Sequence, residues 1–421
     1  MALEEPPKST TSLKEKILLV LGYQLPFPGA GWRRIEYFAK YLKAQGLEVT
    51  VVGATKLTEM FTIYKHKKRW LNKDIYVLNI LPFSVSPLYL LLTTLFAPLY
   101  LLILRPNVLI VSSPPPEPFI GFIIWKKIFK YKIILDVRDD VFGEFVLKKS
   151  GVEKIYYKVL SMFIDKFIRH VDFVTIVTQG LAEKFRERYH LKGRIIIIPN
   201  GANLEEFDKA LASIDERFCN SILGRSGDEL VIVFSGAAVE THNPVLLLPA
   251  LMLLKIKNQK LAEKVKLIII GPRTKLLDYT MSLAEKYNLK NNLKYLGVYN
   301  DLKDVARILS CADIGLIPRV EDPFFDHAIP AKFYEYIGAG LPVLALCRRE
   351  SDLAKMVKKY KLGTVCETKD LICQVNFIKE IIMYKDKEIS ELKKSINVFR
   401  KNIDREKSGK ILHIIIKNLF K

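Results

Sequence analysis

Residues 329–345, Ile-Pro-Ala-Lys-Phe-Tyr-Glu-Tyr-Ile-Gly-Ala-Gly-Leu-Pro-Val-Leu-Ala, constrain this chain more than any other stretch. Pro330 suits the first turn of a helix, where its missing N–H costs nothing. Lys332 and Glu335 stand three apart, so a helix sets both on one face. Gly338 and Gly340 stop that helix, and Pro342-Val343-Leu344-Ala345 reads as a short buried strand. Upstream, residues 312–318 read as another. The order is strand, long loop, helix, strand, with a cation and a carboxylate at a helix start beside strand ends. Diphosphates bind at helix starts, because free N–H groups and the macrodipole both favour anions. A carboxylate can accept two hydrogen bonds from a ribose diol.

The same order opens the chain. A buried strand at 17–23 leads through a loop holding Gly29 and Gly31 to Arg33, Arg34 and an amphipathic helix ending near Ala44. The next strand is 46–52. This is the start of a doubly wound α/β domain. The loop glycines let the backbone approach a phosphate, although their spacing is not G-x-G-x-x-G. A strand from 108 ends in Ser112-Ser113-Pro114-Pro115-Pro116-Glu117. Another from 133 runs into Arg138-Asp139-Asp140, with Glu144 beyond. Both end at one edge of a parallel sheet, where ligands bind. After Ile198-Pro199-Asn200-Gly201, residues 204–228 are polar and read as a linker. A second α/β pattern follows: a strand at 230–235 before Gly236, a strand at 265–270 before Gly271-Pro272-Arg273, then Gly297-Val298-Tyr299. Residues 387–421 read as a basic amphipathic helix.

The 329–345 stretch and the Ile-Pro-Asn-Gly run resemble the signatures of GT-B glycosyltransferases, specifically the retaining family 4 (group 1) enzymes. The resemblance implies an α/β fold of two Rossmann-like doubly wound domains facing across a cleft, the last helix crossing back. The boundaries expected are 1–205 for the acceptor-side domain, 206–386 for the nucleotide-sugar domain and 387–421 for the final helix. It further implies that Glu335 holds the ribose and that Lys332 faces the diphosphate. Gly29, Gly31 and Arg34 in the first loop, and Gly236 in the second domain, belong to the same donor site. The Arg and Lys that many members carry after the 230–235 strand are missing, and Arg273 is the candidate to compensate. Val298 and Tyr299 lie over the base. His327 stands where many members have a second Glu, eight residues before Glu335. The family's usual His-Asp pair after the 133–137 strand is replaced by Arg138-Asp139. Arg138, Asp139 and Glu144 are therefore the catalytic candidates, contacting acceptor and donor sugar. The activity implied is transfer of a sugar from a nucleotide-diphosphate sugar, without a cofactor. With no D-x-D in the chain, metal-independent turnover is expected.

Composition adds the partners. A chain of 421 residues, half of them hydrophobic, holds two ordinary domains. A net charge of +21 favours anionic partners, either lipid headgroups or nucleic acid. The aromatics are scattered, with no K/R-G-F-type run, so no nucleic-acid partner is expected. A basic nucleic-acid-binding protein is nonetheless the alternative from another class, beside a nucleotide-sugar isomerase or epimerase of the GT-B fold. Residues 75–104 carry no charge. They lie between Lys65, Lys67, Lys68, Arg69 and Lys73 on one side and Arg105, Lys126, Lys127, Lys130 and Lys132 on the other. This run and a second at 119–125 are expected to form two membrane-facing helices that dip into an anionic interface without crossing it. A lipid-linked carrier or glycan precursor is then the expected acceptor, and a peripheral position on the cytoplasmic face the expected location. Residues 1–16 contain no apolar run, so no signal peptide is expected. Cys219, Cys311, Cys347, Cys366 and Cys373 show no C-x-x-C, and neither disulfides nor a zinc site are expected.

Overall fold

The structure, a computed structural model, describes residues 15–25, 29–56, 75–83, 86–140, 151–191, 193–225, 227–299 and 301–420. Short apolar runs without polar alternation become strands covered on both faces. Seven of them, β1 (Lys16–Leu21), β2 (Glu48–Lys56), β3 (Tyr76–Phe83), β4 (Val108–Ser113), β5 (Lys132–Val137), β6 (Phe173–Ile176) and β7 (Ile195–Ile197), form a sheet in the order β3-β2-β1-β4-β5-β6-β7. The β2–β3, β1–β2, β1–β4 and β4–β5 pairs are parallel. The helices α1 (Ala30–Ala44), α2 (Ser86–Leu104), α3 (Glu117–Ile123), α4 (Lys126–Phe129) and α5 (Gly151–Phe167) connect these strands.

A second sheet, β8 (Leu230–Ser235), β9 (Val265–Ile270), β10 (Leu293–Gly297), β11 (Ile314–Pro318), β12 (Val343–Leu346) and β13 (Gly363–Cys366), has the order β10-β9-β8-β11-β12-β13. All its neighbouring pairs are parallel. Successive residues serve opposite faces: Val231 and Val233 pack in one core, Ile232 and Phe234 in the other. Helices α6 (Leu204–Ala212), α7 (Glu216–Leu223), α8 (Leu302–Ser310), α9 (Ala331–Gly338), α10 (Leu371–Met383), α11 (Lys385–Arg400) and α12 (Arg405–Asn418) complete the elements used below. By contact density the chain divides into Met1–Thr175 with Leu412–Lys421, and Ile176–Ile411.

Four expectations are corrected. The supposed linker at 204–228 contains α6 and α7, because Phe207, Ala210 and Leu223 give those polar segments a buried stripe. The terminal helix is two helices, broken at 401–404, where Ala202 bridges to Asp404. Residues 119–123 lie in α3, which is buried throughout, so that run is core. Finally, Cys219 is bonded to Cys311 and Cys366 to Cys373, with Cα atoms 5.2 and 5.8 Å apart. One bond joins α7 to the C-terminal cap of α8; the other joins the end of β13 to the first turn of α10. Separations of 92 and 7 residues carry no pairing signal in sequence.

The uncharged run divides into β3 and α2. Among the described residues α2 is the one helix long and apolar enough to cross a membrane. It joins two strands of one sheet, and Tyr89, Thr93, Ala97, Tyr100 and Leu101 bury one face of it. The opposite face exposes leucines. The basic residues expected ahead of it, from Lys65 to Lys73, lie outside the described residues.

Candidate active site

In the second sheet the site grows from the carboxyl ends of β8, β9 and β11. Gly236, after β8, has φ +117°, and Gly271, after β9, has φ +147°. Both values favour glycine. The two backbones touch so closely that a Cβ at Gly271 would lie 2.7 Å from the carbonyl carbon of Gly236. Bare backbone at a sheet edge is what a phosphate can approach.

α9 stands over this edge. Its Tyr336 ring covers Gly315 of β11; the phenol accepts a hydrogen bond from the Ser235 amide at 2.9 Å and donates to the Leu316 carbonyl at 3.2 Å. Those bonds fix the helix, and one turn earlier Lys332 is brought to Gly236. Its Nζ lies 3.6 Å from where a Cβ at Gly236 would sit, and 3.8 Å from the centroid of the Phe234 ring. Burial lowers the Lys332 ammonium to about 7; Glu335 opposes that shift and Arg319 adds to it. Glu335 is itself buried on the same helix. Lys332 and Glu335 thus stand on one helix at this sheet edge.

Two residues join this cluster that the sequence did not single out. Arg319, immediately after β11, is buried, donates Nη1 to the Ala328 carbonyl at 2.8 Å and lies over the Phe325 ring. His242 has its Nδ1 2.9 Å from the Thr241 hydroxyl and its buried Nε2 without a hydrogen-bond partner. Burial, then Lys332 and Arg319, push its imidazole down to about 2, so it is neutral at any physiological pH. A charged residue directly after an apolar strand was the available signal for Arg319. Nothing local signals His242, whose place is set by the reverse turn that pairs Val239 with it.

The other donor-side residues are placed as follows. Arg273 lies past Gly271 but extends into solvent, its Nε 2.7 Å from Asp278. It does not join the Gly236 cluster; its partner sits five residues along the chain, in the first turn of the following helix. Val298 is exposed after Gly297, and Tyr299 packs on the core. The amide of Gly271 donates to the Gly297 carbonyl at 2.8 Å, which fixes that turn to the same sheet edge. His327 is 3.5 Å from Asp352.

In the first unit, Gly29 caps α1 with extended backbone, and Gly31 lies in its first turn under the Arg138 guanidinium. A Cβ at Gly31 would lie 2.8 Å from Arg138 Cζ. Arg138 is half-buried, donates Nη2 to the Pro114 carbonyl, and has a buried Nε without a partner. Burial lowers its proton affinity, against the pull of Asp139 and Asp136. Asp139 is exposed, and Glu144 lies outside the described residues. Arg34 is the marked departure. It is 2% exposed, and its Nη2 is 2.8 Å from Asp136 Oδ1, with Nε 3.1 Å from Oδ2. Asp136 also accepts from Ser112 at 2.9 Å and Thr175 at 2.7 Å. Burial alone would raise this carboxyl, but Arg34, the Thr175 hydroxyl and the nearby Arg138 hold it below its ordinary value. Arg34 thus serves a buried ion pair rather than presenting a solvent-facing cation.

Two adjoining family models match the chain: "Glycosyltransferase Family 4" over residues 31–206 and "Glycosyl transferases group 1" over 216–397. The chain belongs to the group 1 glycosyltransferases of the GT-B type. A search of curated protein sequences finds no match. Solved structures with the same fold include sucrose-phosphate synthase from Thermosynechococcus elongatus, 14% identical, TM-score 0.71, covering 97% of this chain and 99% of that one. WaaG, a glycosyltransferase involved in lipopolysaccharide biosynthesis, is 15% identical with TM-score 0.70, covering 94% and 98%. Anabaena HepE, solved with UDP and glucose, is 13% identical with TM-score 0.70, covering 96% and 99%. The glycosyltransferase therefore has the α/β architecture its sequence implied.

Proposed function

We propose that this glycosyltransferase takes its sugar from a nucleotide-diphosphate donor and passes it to a lipid-linked carrier or glycan precursor at a membrane. One observation carries the donor half: a half-buried lysine beside bare backbone at Gly236, next to Arg319 and neutral His242. An ammonium there is disfavoured until an anion arrives, and a diphosphate supplies one. Glu335 on the same helix face suits the ribose hydroxyls. The UDP-containing HepE structure supports a nucleotide donor for this fold. In the transfer, cations and backbone N–H groups stabilise charge on the departing diphosphate. Retention of configuration follows from the family resemblance. The chain lacks D-x-D, so this reading expects turnover to survive chelator; loss in chelator with rescue by magnesium or manganese would count against it.

The acceptor half is supported by α2, whose exposed side is a leucine stripe, Leu91, Leu95, Leu99 and Leu102. Such a face suits a peripheral seat on lipid. The test is transfer from a panel of nucleotide sugars to polyprenyl-linked phosphate or diphosphate in mixed micelles, against soluble free sugars. Preference for the polyprenyl acceptors is expected; turnover with soluble sugars alone would defeat the lipid-carrier reading. Release of nucleotide diphosphate with isomerised sugar and no acceptor requirement would favour an isomerase.

A further inference from the structure

Strands β3 and β4 are parallel members of one sheet, through β2 and β1, and β4 is parallel to β5. Crossovers between such strands are right-handed. The order β3-β2-β1-β4-β5 then puts α2 and the α3–α4 segment on one face of the sheet. Direct contacts join them: Trp125 Nε1 donates to the Thr94 carbonyl at 2.9 Å, and Gly121 of α3 packs on Thr93 of α2. α5 lies along the other side of α3–α4. Near its start, Tyr156 donates to Glu117 at 2.9 Å; beyond its end, the His170 carbonyl accepts from Lys126 of α4 at 2.7 Å. The three segments form one layer, and their outer sides make one surface.

That surface is apolar across its width. The outer side of α2 adds Ile103, 68% exposed, to its leucine stripe. In the middle stands Ile128 of α4, 66% exposed. On α5, Leu160 and Ile164 are buried, yet Val152, Ile155, Val159 and Met162, at helical spacing, are exposed, Val152 by 81%. A helix of a monomeric soluble domain keeps apolar residues on one side; α5 has them on both. The charge around this surface is positive. Residues 86–105, 124–130 and 151–170 hold eight basic side chains against two acidic. An apolar face on helices with this basic excess matches the interface of an anionic leaflet.

We propose that α5 is a second bilayer-contacting helix, and that α2, α4 and α5 seat together on an anionic membrane as one plane. This rests on the membrane reading above and extends it to a segment that reading did not use. The full-length protein is to be sedimented with vesicles of phosphatidylcholine and phosphatidylglycerol in equal parts, and with phosphatidylcholine alone. The Ile155→Asp/Met162→Asp variant is compared with Leu91→Asp/Leu95→Asp; all four positions are exposed, and circular dichroism checks the fold. Each pair is expected to weaken binding at least about tenfold, since each removes apolar burial and adds repelled charge. Wild-type binding by the α5 variant with loss in the α2 variant overturns the proposal while sparing the membrane reading. Failure of the wild type to bind either vesicle overturns both. Equal binding to the two vesicle types defeats the anionic assignment. A wild-type dimer made monomeric by the α5 changes, with vesicle binding intact, makes α5 a self-association face instead.

Discussion

The Nζ of Lys332 lies 3.8 Å from the centroid of the Phe234 ring, with Glu335 one turn on and Arg319 and His242 nearby. The ring face offers a weak anionic surface, and Glu335 a stronger one. Burial still wins, bringing the lysine down to about 7. A depressed lysine binds fewer protons folded than unfolded. Its burden on stability is complete below the folded value and is relieved as pH rises toward the ordinary lysine range. A diphosphate reverses the balance by favouring the ammonium. Binding of UDP at pH 8 should take up a proton, and binding at pH 6 should not. Calorimetry in buffers of different ionisation enthalpy measures this. Lys332→Met should abolish the uptake, and uptake unchanged in that variant would remove Lys332 from the diphosphate site.

Glu335→Gln should weaken UDP affinity with the fold intact. The carboxylate is buried on the face of α9 that carries Lys332. Loss of hydrogen bonds to a charged partner costs about 1.5–3 kcal/mol. Wild-type affinity in the variant, measured by calorimetry, would place the ribose elsewhere.

Arg34 and Asp136 test the opposite case, a charge held for the fold. Removing one partner of a buried pair leaves the other uncompensated, at about 3–5 kcal/mol. Arg34→Met should therefore lower the denaturant midpoint sharply, and Arg34→Met/Asp136→Asn should recover much of the loss. Asp136 is held below its unfolded value, so the pair's contribution is present at neutral pH and disappears as pH falls through the folded value. UDP affinity of the folded Arg34→Met fraction should match wild type. Weakened affinity without lost stability would restore Arg34 to the donor site.

These cases show what the sequence discloses. Residues 331–338 form the helix that Pro330 and Gly340 delimit, and Lys332 and Glu335 share it, because three-residue spacing is local information. The strands are legible for the same reason: a run such as Val108–Ser113 is apolar enough to be buried on both sides. The ion pair of Arg34 is not legible in sequence because its partner stands 102 residues away, on β5. His242 and Arg319 reach Lys332 only through the β8–β11 pairing. Run 119–125 was misassigned for a related reason, and the outer face of α5 was not singled out at all. Hydropathy gives the apolar content of a helix; which side is covered depends on its neighbours in the layer.

The disulfide from Cys219 to Cys311 closes a 92-residue separation, and that from Cys366 to Cys373 one of 7. In the chain-entropy account the longer loop contributes about 4.5 kcal/mol and the shorter about 2.5 kcal/mol, by restricting the unfolded chain. Alanine suits both partners of the long bond, since Cys311 is buried and a hydroxyl there would need a partner. Cys219→Ala/Cys311→Ala should lower the denaturant midpoint under non-reducing conditions more than Cys366→Ala/Cys373→Ala does. Reductant should bring the wild type below either variant measured without it. The variant lacking the long bond should lose only the smaller increment on reduction. Coincident midpoints for wild type and Cys219→Ala/Cys311→Ala without reductant would show that the α7–α8 bond is not formed in solution.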